Sequence, residues 1–98
     1  MKVHNMKSDK GNVIANQFII EDESKICFQS YDSMIVTIDH DTKTITIGKD
    51  WDYSKTTGKY RNKFLSKYFD IALGTKAGLE YWIEQGKIGE YYIYVEEV

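Results

Sequence analysis

Proline is absent from the 98 residues, so no helix or strand is interrupted by a locked φ or a missing N–H. Cysteine occurs once, at Cys27, which excludes an internal disulfide and suits a reducing cytoplasm. Histidine occurs twice, at His4 and His40, poor raw material for a serine or cysteine triad. Apolar runs are only a few residues long, and Met1 to Lys10 has no apolar stretch of the signal-peptide kind. These absences predict a cytoplasmic protein without a membrane span.

What is present is globular. Hydrophobic residues make up 42%, aromatics 14% and charged residues 29%, too many aromatics for a disordered chain. The length suits one domain with a modest core. The expected organisation is a flexible tail over residues 1–11 and a single domain over 12–98. The net charge of −2 is unevenly spread. Residues 55–67 carry Lys55, Lys59, Arg61, Lys63 and Lys67 without an acid, which leaves 8 basic against 15 acidic residues elsewhere, a net of −7. Such segregation can steer a charged partner, although most charge runs only solvate a surface.

Alternation predicts a strand over residues 12–20, with Ile14, Phe18 and Ile20 on one face, and another over Lys25 to Tyr31, with Ile26 and Phe28 inward. Met34 to Asp39 and Thr44 to Ile47 read as a hairpin, in which Val36 and Ile38 meet Ile45 and Ile47. Ser54 or Thr56 is a candidate N-cap for a central helix. Gly58 and the early lysines weaken its first turn, so the ordered helix is expected to start late and to run to Gly74. Thr75 caps a second helix that ends at Gly86. Glu90 to Glu97 is a final strand whose tyrosines cannot all be buried. The fold class is therefore α+β, in the order β-β-β-β-α-α-β: an antiparallel sheet of about five strands with two helices on one face.

The central helix carries the clearest signal. Lys55, Lys59, Lys63 and Lys67 recur every fourth residue and so do Tyr60, Phe64 and Tyr68. With Lys55 at zero, the lysines fall at roughly 0–120°, and Tyr60, Phe64, Leu65 and Tyr68 at roughly 140–280°. The aromatic side should turn inward, with Leu79, Trp82 and Ile83, and the lysine side outward. Arg61 falls within the apolar arc, where it either pairs with Asp50 or Asp52 or faces a partner. Phe69 falls outside that arc and Tyr81 lies opposite Leu79, so both are candidate surface anchors. The candidate partner-binding residues are Lys55, Lys59, Arg61, Lys63, Lys67, Phe69 and Tyr81.

Other constellations have blander explanations. Asp39-His40-Asp41 offers metal-ligand chemistry, but no glycine or later glutamate completes a calcium loop, and a hairpin turn is favoured. Cys27, between Ile26 and Phe28, reads as a small core residue. The Gly-Lys pairs at 48–49, 58–59 and 86–87 lack a P-loop framework, and no spacing points to a catalytic carboxylate pair. The expectation is a protein that is not an enzyme and needs no cofactor or metal.

Asn16-Gln17-Phe18, then Phe28-Gln29-Ser30-Tyr31, then Trp51 through Leu65 resemble a family of small uncharacterised proteins from bacteriophages and prophages of low-GC Gram-positive bacteria. The likeness covers residues 12–65 and is most specific in 51–65. It supplies no catalytic residues and implies a setting in a host bacterial cytoplasm. Two functions fit. One is a non-enzymatic binder, or inhibitor, of a bacterial host or defence protein. The alternative is a nucleic-acid-binding accessory protein that applies the basic helix face to phosphates. The pI of 5.6 favours the protein partner.

Overall fold

The computed structural model describes residues 1–96. Seven strands form one sheet in the order β1-β2-β3-β4-β5-β7-β6. In chain order they are β1 (Lys2–Lys7), β2 (Val13–Asp22), β3 (Lys25–Ser30), β4 (Ser33–Asp39), β5 (Thr44–Ile47), β6 (Lys87–Ile88) and β7 (Tyr91–Val95). Helices α1 (Lys55–Tyr68) and α2 (Lys76–Gln85) lie between β5 and β6, joined by a 3-10 turn at Ile71–Leu73. The α+β class holds, and the strands exceed the expected five.

The β4–β5 hairpin forms with Val36 opposite Ile47 and Ile38 opposite Ile45. All four are fully buried. β-branched side chains favour the pleated backbone and pack tightly on its inner face. The Asp39 carboxylate closes the turn by accepting from the backbone N–H groups of Asp41 (2.9 Å) and Thr42 (3.2 Å). Those bonds, the Thr42 amide foremost, hold the Asp39 pKa below the ordinary carboxylate value. Gly48 follows β5, where a Cβ would strike the Met34 carbonyl, so only glycine lets the chain pass.

Both helices cover the inner face. Phe28, Ile35, Val36, Ile38, Ile45, Ile47 and Ile93 of the sheet pack with Phe64, Leu65, Leu73 and Leu79 above them. Phe64 stacks on Phe28 at 5.8 Å between ring centroids. Tyr60 is buried as expected, while Tyr68, Trp82 and Ile83 are half-buried against the same core. The caps agree with the sequence: Ser54 accepts from the Thr57 amide, Thr75 accepts from the Gly78 amide, and Gly86 ends α2 in the left-handed region at φ 77°.

Four expectations need correction. Residues 1–11 are not a tail, because Lys2–Lys7 pairs antiparallel with β2, Val3 opposite Ile20 and Asn5 opposite Phe18. That polar strand is ordered by its ladder rather than by its own alternation. The sheet is mixed, since β7 runs parallel to β5, Ile93 opposite Ile45. Two helices between them supply the crossover that a parallel pair requires. In β2 the inward residues are Gln17 and Ile19, whereas Phe18 and Ile20 point to the other side and are half-buried. Asn16 adopts φ 64° and shifts the parity of the strand there; Ile14, before this irregularity, still packs against the core. Finally, α1 begins on time at Lys55 and ends at Tyr68 rather than Gly74, where Asp70 caps the 3-10 turn instead.

Candidate functional site

Helix α1 presents two different environments along its length. At its N-terminal end, Ser54 and Thr57 join Ser30 of β3 in a chain of hydroxyl contacts, 3.1 Å from Ser54 to Thr57 and 2.9 Å from Thr57 to Ser30. Gln17 lies opposite Ser30, fully buried, and neither atom of its amide makes a hydrogen bond. Beside this cluster sits Arg61, only 1% exposed. Its Nη1 donates to the Trp51 carbonyl at 2.7 Å, and its Nε and Nη2 donate to Asn62 Oδ1 at 3.2 and 2.9 Å. The guanidinium also lies 5.1 Å from the Trp51 ring centroid.

Asp52 neutralises this buried charge from the rim. One of its oxygens is 3.5 Å from Arg61 Nη1 and the other 2.7 Å from Lys76 Nζ, so a single carboxylate ties the loop to both helices. The hydrogen bond from Lys76 is the main reason that the Asp52 pKa is lowered and that of Lys76 raised. Burial pushes the Arg61 pKa down, opposed by the charge of Asp52. Arg61 is therefore an internal tie between α1 and the preceding loop. A partner cannot reach it, which removes it from the expected contact residues. Asp50, the other acid considered for it, instead accepts from Ser33 Oγ at 3.1 Å.

Towards its C-terminal end the outer side of α1 faces a groove. Lys63, Ser66, Lys67 and Tyr68 form one wall and β1 with its following turn, His4 to Asp9, forms the other, with Ile19 beneath. Its volume is about 580 Å³. The lysines here stand over apolar surface: Lys63 Nζ is 5.9 Å from the Tyr60 ring and Lys67 Nζ 5.2 Å from the Tyr68 ring. Long lysine stems commonly cover apolar surface while the ammonium stays wet. Lys63 also contacts Asp9 at 3.2 Å, a carboxylate whose side chain is 95% exposed. Lys7, Lys67 and His4 line the groove as well; Lys63 contacts Asp9, while His4 Nε2 lies 3.6 Å from the Glu21 carboxylate of β2.

The four-residue lysine period divides between these environments. Lys63 and Lys67 line the groove; Lys55 and Lys59 are exposed on the earlier turns and do not. Phe69 is no free anchor. It is half-buried, packs against the core and meets the Tyr91 ring edge-on at 4.9 Å. Tyr81 is 54% exposed on α2, leaning on Trp82 at 5.0 Å, and has no place in the groove. Tyr92 and Tyr94 are exposed on the last strand, as their number predicts.

Sequence reasoning missed the strand wall of the groove, including Lys7 and His4. Their only signal was a cluster of basic residues in a segment too polar to read as a strand. His40, from the acidic turn, contacts Tyr91 Oη at 2.6 Å through Nδ1. Among the described residues no group of three or more His, Cys, Asp or Glu is placed to hold a metal. Among the same residues no helix is long and apolar enough to cross a membrane.

No curated protein and no solved structure matches the chain. A family model does match, over residues 1–80, which takes in β1 through β5, all of α1 and the first half of α2. The chain belongs to the family described as a family of unknown function, DUF8033.

Proposed function

We propose that this protein acts by binding rather than by catalysis, and that the groove between β1 and α1 receives an acidic surface of a bacterial protein. The observation that carries the reading is the groove itself: Lys7, Lys63 and Lys67 line it above Ile19, with Asp9 its one acid, in a chain whose net charge is −2. Lysines placed only for solubility are usually interspersed with acids at i,i+4, which add favourable pairs. Here the nearest acid to Lys63 comes from β1's turn instead. The likeness of residues 51–65 to phage and prophage proteins supports a setting in the host cytoplasm, where occupying a host or defence protein would inhibit it. The acidic remainder of the molecule weighs against plain phosphate binding.

The test is affinity capture from a low-GC Gram-positive lysate, followed by association kinetics with the captured protein. Replacing Lys55, Lys59, Lys63 and Lys67 by glutamine should leave the fold intact and slow association, with the loss shrinking at high salt. Lys63→Gln with Lys67→Gln should reproduce most of that loss, and Lys55→Gln with Lys59→Gln little of it. Full association of the fourfold variant at low ionic strength would sink the reading. Tight, steeply salt-dependent binding to plain duplex DNA would favour the nucleic-acid alternative.

A further inference from the structure

The groove has one wall that is itself a binding device: β1 is the terminal strand of the sheet. One side of it pairs with β2, and among the described residues no strand pairs with the other. We propose that this free side takes an extended acidic segment of the partner protein as an added strand, with alternate carboxylates entering the groove toward Lys63 and Lys67. The inference rests on the groove reading above and adds how the partner is held.

Three observations support it. The two ends of the sheet are unequal: β1 has six residues, whereas the opposite edge, β6, has two. Only β1 offers a ladder long enough to hold a peptide by its backbone. An added strand would lie about 4.8 Å from β1 and send every second side chain to the inner face. On that face the groove is already open, with Met6, Ile19 and Tyr68 among its lining and Lys63, Ser66 and Lys67 beside it. The third observation is Asp9. Its contact with Lys63 shows a carboxylate in the position the added side chains would take, and a side chain 95% exposed is weakly held.

The charges also choose the occupant. Edge strands are commonly protected by lysine, and Lys2 and Lys7 stand at the two ends of β1. Between them Val3, His4, Asn5 and Met6 include no acid or proline. A second copy pairing antiparallel about the centre of β1 would set Lys2 against Lys7 at both ends, a like-charge arrangement that is destabilising. An acidic strand turns the same lysines into attractions. The edge is thus closed to its own kind and open to a strand of opposite charge.

The experiment uses the whole protein and end-blocked peptides of about eight residues in which Glu and Thr alternate. One peptide is unmodified; a second is N-methylated at every Glu amide and a third at every Thr amide. In a strand, residues of one parity direct their N–H and C=O to the same neighbour. Only one of the methylated peptides should therefore lose binding, by roughly tenfold or more, while the other binds like the parent. Amide exchange in Lys2–Lys7 should slow on binding the unmodified peptide, and Lys63→Gln with Lys67→Gln should weaken that peptide. If both methylated peptides bind, or both fail, or β1 exchange is unchanged, the added strand is overturned. Failure of every peptide overturns it too, while the lysine variants against the captured protein decide the groove reading separately.

Discussion

Arg61 and Lys63 stand two positions apart on α1, and the fold uses their charges in opposite ways. Arg61 is buried, and its donors are engaged by Trp51, Asn62 and Asp52. Lys63 sits on the rim of a groove, with one contact to an exposed carboxylate. A buried positive charge with every nitrogen engaged holds the molecule together; a partly exposed one with a single, weakly held contact is available to something else. The front half of α1 is thus a structural joint, and the back half is the surface proposed for recognition. Periodicity placed both residues on the helix, but only packing separates their roles.

The most severe way to break the comparison is to remove what lies under both halves. Phe64 stacks on Phe28 and meets Tyr68 at 5.2 Å, so it anchors the joint and the groove wall together. Phe64→Ala should cost roughly 3–5 kcal/mol, the usual range for deleting a buried phenyl ring. Chemical denaturation checks this, and a midpoint equal to that of the parent would show that the ring is not load-carrying.

Arg61→Leu should come next, at roughly 1–3 kcal/mol, because it leaves the Trp51 carbonyl without its donor in a buried place. Arg61→Lys should recover little, since an ammonium cannot reproduce a planar fork spanning Trp51 and Asn62. Association with the partner should change no more than the loss of folded protein explains. A specific binding defect in a fully folded Arg61→Leu protein would erase the distinction between the two halves.

The mildest effect concerns Asp52, and its sign follows from the lowered pKa. A carboxyl group held below its ordinary value of 3.8 contributes stability that is present above that value. The contribution fades as pH falls through the folded-state pKa. Thermal melts from neutral pH to below pH 3 should show the parent losing stability at the acid end, with Asp39 adding to the slope for the same reason. Asp52→Asn should melt slightly earlier at neutral pH and decline less steeply in acid. Parallel curves for the two proteins would remove Asp52 from the joint.

How much of this was legible in the sequence depended on whether the residues carried their own pattern. Val36, Ile38, Ile45 and Ile47 alternate cleanly, and Ser54, Thr75 and Gly86 are strong local signals, so the hairpin and the helix ends could be read. β1 could not. Its six residues, Lys-Val-His-Asn-Met-Lys, show no apolar face, and the ladder with β2 orders them. The parity of β2 was hidden by Asn16, whose positive φ is a property of the folded turn and is stabilised when its carbonyl accepts from Tyr31 at 2.7 Å. The inward position of Gln17 follows from that shift. Arg61 was visible as an anomaly within an apolar arc, and the choice between Asp50 and Asp52 needed distances. The groove was legible on one wall only, because the other wall is β1.

The parallel pairing of β5 with β7 also governs the order in which the molecule assembles. The strands from β1 to β5 are neighbours in sequence as well as in space, so each pair closes through a short connection. β7 reaches β5 only after the chain has passed through α1, the 3-10 turn and α2. Closing so long a loop costs entropy before its contacts repay it, so this pairing belongs late in folding. Until then Thr-Ile-Thr-Ile of β5 is itself an open edge, rich in β-branched residues and without charge. The helical layer must therefore dock promptly and deliver β7, because a chain delayed at that stage presents a sticky strand to its neighbours.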